Sequence, residues 1–434
     1  MKPTKTNKGP NQQEIAPGML CCGGSKTGKR NRKPEDDGHD TVTTCIDEYR
    51  PITCDSLKLV QIQIVFRHGA RTPLNFIRGL EEATYDASLE DDLPETDFEL
   101  HVVKFADGTP AGKSVMEPDL RARKLKGGAH ASMLTTVGQR QMYDLGLIVR
   151  EFYLPELELK YFSPRDVFIR SSHIERTIKS IKCLLAGMFG KENMNKYGPV
   201  KLPVKHMFEE DIFPNKLACP ALRLIVDMTL ATIDGLPGFK QDRYTLCKAL
   251  GIPTNSDMDF ACLRDDIVSR ITHGAEYPAP LVPYKKMIED NAARTIHAVY
   301  AGRAGARGRH DVTRLSIGQL LYSILFNIEN RAEDKMSQKV FLYSGHDTTL
   351  APMLVALGIW DFRWPPFAAN IIYELYKQSD TSEYYVRVLY CGEPKKIGQP
   401  PRILVPLDEF RRSIHPYLIM PGEYVQACTL QNLE

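Results

Sequence analysis

A short apolar run that ends abruptly in charged residues is the feature that most constrains this fold. Residues 59–66 are mostly apolar, with several β-branched side chains, and a loop with glycine and proline follows. This pattern predicts a strand buried in a sheet. The strand delivers Arg67, His68 and Arg71 to its C-terminal end, the edge where open α/β sheets bind ligands. We expect Gly69 to let a ligand approach the backbone there.

Two more segments of the sequence repeat this arrangement. Residues 166–170 form a short apolar run that ends at Arg170, and residues 340–343 form another, which leads into His346 and Asp347. A helix is predicted after each run, and the helix after residue 170 should end at Gly190. The three predicted strands therefore bring all these polar side chains to one edge of a sheet.

These residue types suit phosphoryl transfer. Guanidinium groups of Arg67, Arg71 and Arg170 can hold phosphate oxygens and stabilise the transition state. Neighbouring arginines disfavour the imidazolium form, so we interpret His68 as the nucleophile that becomes a phosphohistidine. Asp347 is interpreted as the proton donor to the leaving alkoxide, and His346 as a hydrogen-bond donor to the phosphoryl group.

The composition limits which ligands the chain could bind. It has 434 residues, of which 43% are hydrophobic and 25% charged, and a formal net charge of +2. This is ordinary globular material without the strong positive field that nucleic acid or an anionic membrane would require. We expect a monomer that binds a small phosphate monoester or a lysophospholipid, no nucleic-acid partner and no transmembrane segment.

The cysteines and carboxylates give no sign of a metal site. None of the ten cysteines has zinc-site spacing, and no carboxylate cluster suits Mg²⁺. We therefore expect neither a metal nor another cofactor. The N-terminus lacks the apolar region of a secretory signal, which together with the cysteine spacing favours a reducing compartment and mostly free thiols. The count alone does not exclude disulfides.

Changes in composition along the chain predict three parts. Residues 1–45 read as a disordered basic tail, rich in lysine, arginine, glycine, asparagine and proline. Residues 55–194 and 313–430 read as a discontinuous α/β core, with a mixed, mainly parallel sheet flanked by helices. Between them, nine prolines break residues 195–312 into short helical pieces, and no part of this segment alternates like a strand. We predict a smaller, all-helical cap inserted into the core.

The motif Arg67-His-Gly-Ala-Arg71-Thr-Pro73, together with His346-Asp347, resembles the signature of the histidine acid phosphatases. This resemblance implies a histidine-phosphatase-like fold and makes Arg170 the third phosphate-binding arginine, with Ser172 in place of the usual threonine. Residues 125–128, 134–138, 183–187 and 364–368 are also similar to the members that act on lysophosphatidic acid. That similarity implies a substrate with an acyl chain and a mitochondrial location, with the cytoplasm as the alternative.

Other functions remain open at this stage. A phosphohistidine mutase would share the Arg-His-Gly start, but the Ala-Arg-x-Pro continuation and the distal His-Asp pair favour hydrolysis. A phytase-like or broad-specificity acid phosphatase would share both motifs. A catalytically inactive protein that binds phosphate esters is the non-enzyme alternative, which the full set of six polar residues disfavours.

Overall fold

The centre of the fold is a mixed β-sheet with helices on both faces. The computed structural model describes residues 49–302 and 309–429. Its strands are β1 (Leu57–Arg67), β2 (Leu100–Lys104), β3 (Val167–Ser171), β4 (Val200–Val204), β5 (Val340–Gly345), β6 (Asn370–Gln378), β7 (Tyr384–Tyr390), β8 (Glu393–Lys395) and β9 (Leu404–Pro406). The helices are α1 (Pro118–Ala122), α2 (Thr136–Phe152), α3 (Glu175–Phe189), α4 (Lys191–Tyr197), α5 (Pro220–Ala231), α6 (Phe239–Ala249), α7 (Phe260–Thr272), α8 (Lys285–Ala301), α9 (Arg309–Ala332), α10 (Asp347–Ala356), α11 (Leu407–Ile414) and α12 (Pro421–Ala427).

The three strands predicted to carry the site are parallel neighbours. The sheet order is β3-β5-β1-β6-β7-β8, and β9 pairs with β7. Strands β3, β5 and β1 run parallel, whereas β6 is antiparallel to β1 and to β7. The carboxyl ends of β1, β3 and β5 therefore meet at one edge. The predicted fold class, a mixed α/β sheet flanked by helices, is confirmed.

Strand β1 is buried on both faces. Ile62 and Ile64 belong to the apolar cluster formed with α2 and α3, while Gln63 points toward α9 and donates a 2.9 Å hydrogen bond to the Ile324 carbonyl. Because neighbouring side chains on a strand face opposite sides, one strand packs against both helical layers. The glutamine remains buried at little cost because its amide is hydrogen-bonded.

Helix boundaries in the core follow local sequence signals. The Thr135 hydroxyl accepts a hydrogen bond from the Gly138 amide and caps α2, a role that threonine commonly has. Helix α3 ends at Phe189, immediately before Gly190, whose φ of 80° suits a residue without a side chain. The predicted end of this helix at Gly190 is therefore confirmed.

The segment predicted to be an all-helical cap is not helical throughout. Helices α5 to α8 lie within residues 195–312, and α6, α7 and α8 share an apolar cluster of their own. However, Val200–Val204 forms β4, which pairs in parallel with β2. The all-helical prediction is wrong for this strand, because Pro203 within it conceals the alternation of valine and leucine. The boundaries at 195 and 312 remain predictions.

The cysteine prediction needs a correction. Cys219 and Cys428 form a disulfide that links the start of α5 to the end of α12. Four other cysteines in the described ranges, at positions 183, 247, 262 and 391, are free thiols. The expectation of mostly free thiols is therefore right for those four and wrong for the disulfide pair. Since disulfides persist mainly in oxidising compartments, a reducing compartment does not follow from cysteine usage.

Some predictions concern other parts of the chain. The predicted basic tail, residues 1–45, lies outside the described residues. Within residues 49–302 and 309–429, no helix combines the length and the apolar character that crossing a membrane requires. The same ranges contain no group of three or more His, Cys, Asp or Glu side chains arranged to hold a metal ion.

Candidate active site

A cavity of about 350 Å³ opens at the carboxyl ends of β1 and β5. Backbone hydrogen bonds fix the two strand ends against each other, since the His68 amide donates to the Gly345 carbonyl at 3.0 Å. The cavity is lined by His68, Arg71, Leu74, Asn75, Met116, Glu117, Ile174, Arg176, Phe213, Ala261, Cys262, Asp265, His346, Asp347, Thr348 and Trp364. Four of the six predicted site residues, His68, Arg71, His346 and Asp347, are among them.

The protonation of His68 is fixed by its neighbours. Its Nδ1 lies 2.8 Å from the Gly69 carbonyl oxygen. A carbonyl can only accept, so Nδ1 carries the proton and Nε2 keeps a lone pair. Burial, followed by the charges of Arg176 and Arg67, holds the pKa of His68 well below its usual value. The imidazole is therefore neutral, with one unprotonated nitrogen available for attack.

Gly69 is required for a different reason from the predicted one. A Cβ atom at this position would lie 2.1 Å from the Gly138 carbonyl oxygen in the first turn of α2. The glycine therefore lets α2 approach the loop after β1, and the prediction that it makes room for a ligand is not needed. Close packing of α2 holds the His68 backbone in place.

Asp347 is held by three donors at the start of α10. Arg67 Nη2 lies 3.1 Å from its Oδ2, the Trp364 indole donates to the same oxygen at 3.0 Å, and the Thr348 amide donates to Oδ1 at 2.8 Å. Burial alone would raise the pKa of Asp347, but Arg67 and Arg71 lower it to about 2. In this arrangement the carboxyl group is ionised at neutral pH.

Arg71 is paired with a carboxylate that sequence reasoning did not identify. Its Nη2 lies 2.7 Å from Asp265 Oδ1 in α7, and its Nη1 lies 3.3 Å from Oδ2. Asp265 also accepts a 2.9 Å hydrogen bond from the Leu74 amide. Helix α7, from the predicted insertion, therefore fixes the second arginine of the first motif.

Arg170 does not contribute to the cavity, and its prediction as the third phosphate-binding arginine is wrong. Its guanidinium forms ion pairs with Glu210, at 2.8 Å, and with Asp211. Lys205 joins the same cluster through Asp211 at 2.6 Å. Because side chains alternate along β3, Arg170 lies on the face of Phe168, where this acidic pair neutralises it.

Arg176, in the first turn of α3, lines the cavity together with Arg71. Its Nη1 contacts Glu117 and Ser132 Oγ, the latter at 2.5 Å, and its Nη2 lies 3.0 Å from Glu117 Oε1. Burial tends to raise the pKa of Glu117, but Arg176 lowers it to about 2. Arg176 lies six residues after Arg170 in the sequence, at the start of the helix that follows β3.

Donor groups remain on these arginines for an oxyanion. The Nε–H groups of Arg67, Arg71 and Arg176 are buried and have no hydrogen-bond partner among the described residues. A buried donor without a partner is costly, and a phosphate oxygen would satisfy it. Arg71 and Arg176 line the cavity together with His68, and Arg67 joins them in lowering the pKa of His68, so all three guanidiniums lie close to the imidazole.

His346 is oriented by the hydroxyl groups that follow β3. Its Nε2 lies 2.9 Å from Ser172 Oγ, which lies 2.9 Å from Thr177 Oγ1. The ring centroids of His346 and His68 are 5.5 Å apart, and Phe213 packs edge-on against His346. Burial and the charge of Arg176 lower the pKa of His346 to about 3, so this ring is also neutral.

Sequence reasoning missed Arg176, Glu117 and Asp265 for different reasons. Arg176 had a detectable signal, because the first turn of a helix after a parallel strand faces the same sheet edge. Glu117 and Asp265 had none, since they lie in a loop and in an inserted helix far along the chain. Only the folded chain brings these carboxylates to the arginines.

Comparison with known proteins agrees with this geometry. The profile of the histidine phosphatase superfamily, branch 2, matches residues 58–223 and 283–391. Lysophosphatidic acid phosphatase type 6 of Pongo abelii is 32% identical over 390 residues, covering 88% of this chain and 89% of that protein. The human protein of the same name is 31% identical over 386 residues, covering 87% of this chain and 88% of its own length.

A solved structure shares the fold at low sequence identity. The phytase of Hafnia alvei in complex with tartrate superposes with a TM-score of 0.57 and 13% identity, over 87% of this chain and all of that one. With neutral His68 beside three arginines at a parallel sheet edge, and with the profile matching both halves of the α/β core, the chain belongs to branch 2 of the histidine phosphatase superfamily and is a phosphoric monoester hydrolase.

Proposed function

We propose that this enzyme releases phosphate from lysophosphatidic acid through a phosphohistidine on His68. The supporting observation is that a single cavity combines arginine side chains with apolar ones. The apolar side chains are those of Leu74, Met116, Ile174, Phe213, Ala261 and Trp364. A single phosphate attached to an acyl-bearing body needs both kinds of contact. The relatives named above as lysophosphatidic acid phosphatases support the same substrate.

In the first step, His68 Nε2 attacks the phosphorus atom and the bond to the alkoxide breaks. Arg67, Arg71 and Arg176 hold the phosphoryl oxygens and offset the charge that develops on them. Asp347, which is ionised in the ligand-free site, takes up the proton of the phosphate monoanion and gives it to the departing oxygen. The products of this step are the dephosphorylated alcohol and the phosphohistidine.

In the second step, a water molecule attacks the phosphohistidine and frees His68. Asp347 is now a carboxylate and takes a proton from the attacking water, the reverse of its first role. The oxygen of that water becomes part of inorganic phosphate. The same three arginines hold the phosphoryl group throughout, so both steps use one anion site.

Comparing two substrates tests the proposed specificity. We expect kcat/KM for lysophosphatidic acid to exceed that for inositol hexakisphosphate by at least about tenfold, because a hydrophobic chain gains about 0.8 kcal/mol per buried CH₂ group. Phosphate release from each substrate is the measurement. Equal or faster release from inositol hexakisphosphate would favour the phytase-like alternative. The similarity to the Hafnia alvei phytase, at 13% sequence identity, supports only a shared fold.

The pH dependence should follow the protonation of the substrate. Asp347 has a pKa of about 2 in the ligand-free site, so the proton for the leaving group has to arrive with the phosphate monoanion. The second pKa of a phosphate monoester is about 6. We therefore expect kcat/KM to fall about tenfold per pH unit above that value.

Substrates of different acidity distinguish this origin from a residue of the enzyme. For an aryl phosphate with a lower second pKa, the midpoint of the pH profile should move down with the substrate. Protonation of His68 should not lower kcat/KM near pH 6.5, because the pKa of His68 is held well below that value. A midpoint that is the same for both substrates would assign the titration to the protein instead.

Substituting the two arginines around β3 should separate catalysis from stability. Arg176→Ala should lower kcat/KM by about 10²–10³-fold, since it removes a donor to the transition state. Arg170→Ala should leave kcat/KM of the folded protein near its original value. It should instead cost about 3–5 kcal/mol of stability, because Glu210 and Asp211 lose their buried partner.

The measurements for this pair are steady-state kinetics and thermal unfolding of both variants. A loss of turnover in folded Arg170→Ala protein that matched the loss in Arg176→Ala would restore Arg170 to the phosphate site. A normal rate in Arg176→Ala would remove Arg176 from it.

The resemblance described for the sequence also leads us to propose a mitochondrial location. Imaging of the full chain with a C-terminal fluorescent tag, next to a mitochondrial marker, tests this. A uniform cytoplasmic signal would support the alternative location.

A further inference from the structure

Each of the three arginines near His68 is paired with its own carboxylate. Arg67 pairs with Asp347 at 3.1 Å, and Arg71 pairs with Asp265 at 2.7 Å. Arg176 pairs with Glu117 through both of its terminal nitrogens. Asp347 has a role in the reaction, but the proposed mechanism gives no role to Glu117 or Asp265.

The charges around the cavity cancel. Two arginines and three carboxylates line it, and Arg67 behind Asp347 makes three charges of each sign. Both histidines are neutral, because their pKa values are lowered by burial and by the arginines. Among the residues that the structure describes, no lysine lines the cavity. A site for a substrate with several phosphates would need a surplus of positive charge instead.

The two unassigned carboxylates are built into the site. Glu117 has a left-handed backbone, with φ of 55°, and accepts a 3.0 Å hydrogen bond from Ser132, whose own φ is 71°. Such backbone strain in non-glycine residues persists where the surroundings impose it. Asp265 is held by the Leu74 amide at 2.9 Å. Both carboxylates are therefore fixed close to where a phosphate oxygen would bind.

We propose that Glu117 and Asp265 determine substrate specificity by cancelling the charge of Arg176 and Arg71, so that the cavity accepts one phosphate on an uncharged body and excludes a second phosphate beside it. The inference rests on the proposed phosphatase function and names its substrate class. A phosphate at the arginines gains the Nε–H donors that remain. A second phosphate on the same substrate would lie near the two carboxylates. Repulsion between neighbouring like charges is large in a partly buried site.

Competitive inhibition of p-nitrophenyl phosphate hydrolysis tests the proposal. Inositol monophosphate and inositol hexakisphosphate are matched inhibitors, because they share a ring and differ in phosphate number. In Asp265→Asn and in Glu117→Gln we expect the inhibition constant of the hexakisphosphate to fall about tenfold relative to that of the monophosphate. The difference should shrink in 1 M salt, where the screening length is about 3 Å.

Two controls separate charge from structure. Asp265→Glu and Glu117→Asp alter the geometry but keep the charge, so the ratio of the two inhibition constants should stay unchanged. Asp266→Asn removes the adjacent carboxylate of α7, whose partner is Arg270 at 2.7 Å, and should not change the ratio either. If the charge-keeping and the charge-removing variants shift the ratio alike, or if no variant shifts it, the proposal fails.

Slow variants can be assessed by binding instead. Calorimetric titration of both inositol phosphates into Asp265→Asn or Glu117→Gln gives the same ratio without turnover. Failure of the unsubstituted enzyme to hydrolyse p-nitrophenyl phosphate would overturn the proposed function itself. Normal hydrolysis with an unaltered ratio in the variants would overturn only the specificity role of Glu117 and Asp265.

Discussion

His68→Ala should abolish turnover while leaving the fold intact, with a loss in kcat of about 10⁴-fold or more. The substitution removes the nitrogen that attacks phosphorus, and the neutral imidazole contributes no ion pair to stability. Steady-state rates with p-nitrophenyl phosphate measure the loss. Circular dichroism and thermal unfolding check that the protein remains folded.

His346→Ala is the matched control, because it removes the other histidine of the same cavity. Its Nε2 is hydrogen-bonded to Ser172, so we expect it to orient the phosphoryl group without attacking it. This variant should be slower but should still form an acid-labile phosphohistidine, detectable after rapid quenching with radiolabelled substrate. Substantial turnover by folded His68→Ala protein would show that the nucleophile lies elsewhere.

Asp347→Asn should affect substrates according to their leaving groups. With lysophosphatidic acid, whose glycerol alkoxide needs a proton to leave, kcat/KM should fall by about 10²–10³-fold. With p-nitrophenyl phosphate the loss in kcat/KM should stay below about tenfold, because p-nitrophenolate can depart without much protonation. Comparing kcat/KM, which covers the steps up to departure of the leaving group and not hydrolysis of the phosphohistidine, measures the proton-donor role for the two substrates in one variant.

The asparagine variant is a mild change in structure. Asparagine keeps a side-chain oxygen that can accept the hydrogen bond from the Trp364 indole. Asp361→Asn alters an exposed carboxylate in the segment just before Trp364 and should leave both rates unchanged. Equal losses on the alkyl and aryl substrates would instead assign Asp347 to positioning Arg67, and the proton donor would have to be sought elsewhere.

The first motif and the sheet that carries it could be predicted from the sequence, because both rest on local patterns. The apolar run before Arg67, the similar runs before Arg170 and His346, and the helix end at Gly190 each depend on neighbouring residues only. Parallel strands then bring their carboxyl ends together by geometry. His68, Arg67, Arg71, His346 and Asp347 were therefore located without the structure.

Arg170 shows where such local reasoning fails. A strand end followed by small polar residues indicates that an arginine is near the site, but not which face of the strand its side chain occupies. Glu210 and Asp211 capture it from a segment 40 residues later in the chain. The neighbouring Arg176 gains access instead because the first turn of α3 faces the cavity.

The sequence by itself determined which kinds of side chain meet at one edge of the sheet: two histidines, an aspartate and arginines, all placed by strands that end there. Only the tertiary structure decided how these groups are tuned. The tautomer of His68, the pairing of Arg71 with Asp265 and that of Arg176 with Glu117 depend on contacts between residues distant in sequence. Such contacts form when loops and inserted helices pack against the sheet, and no local pattern specifies them.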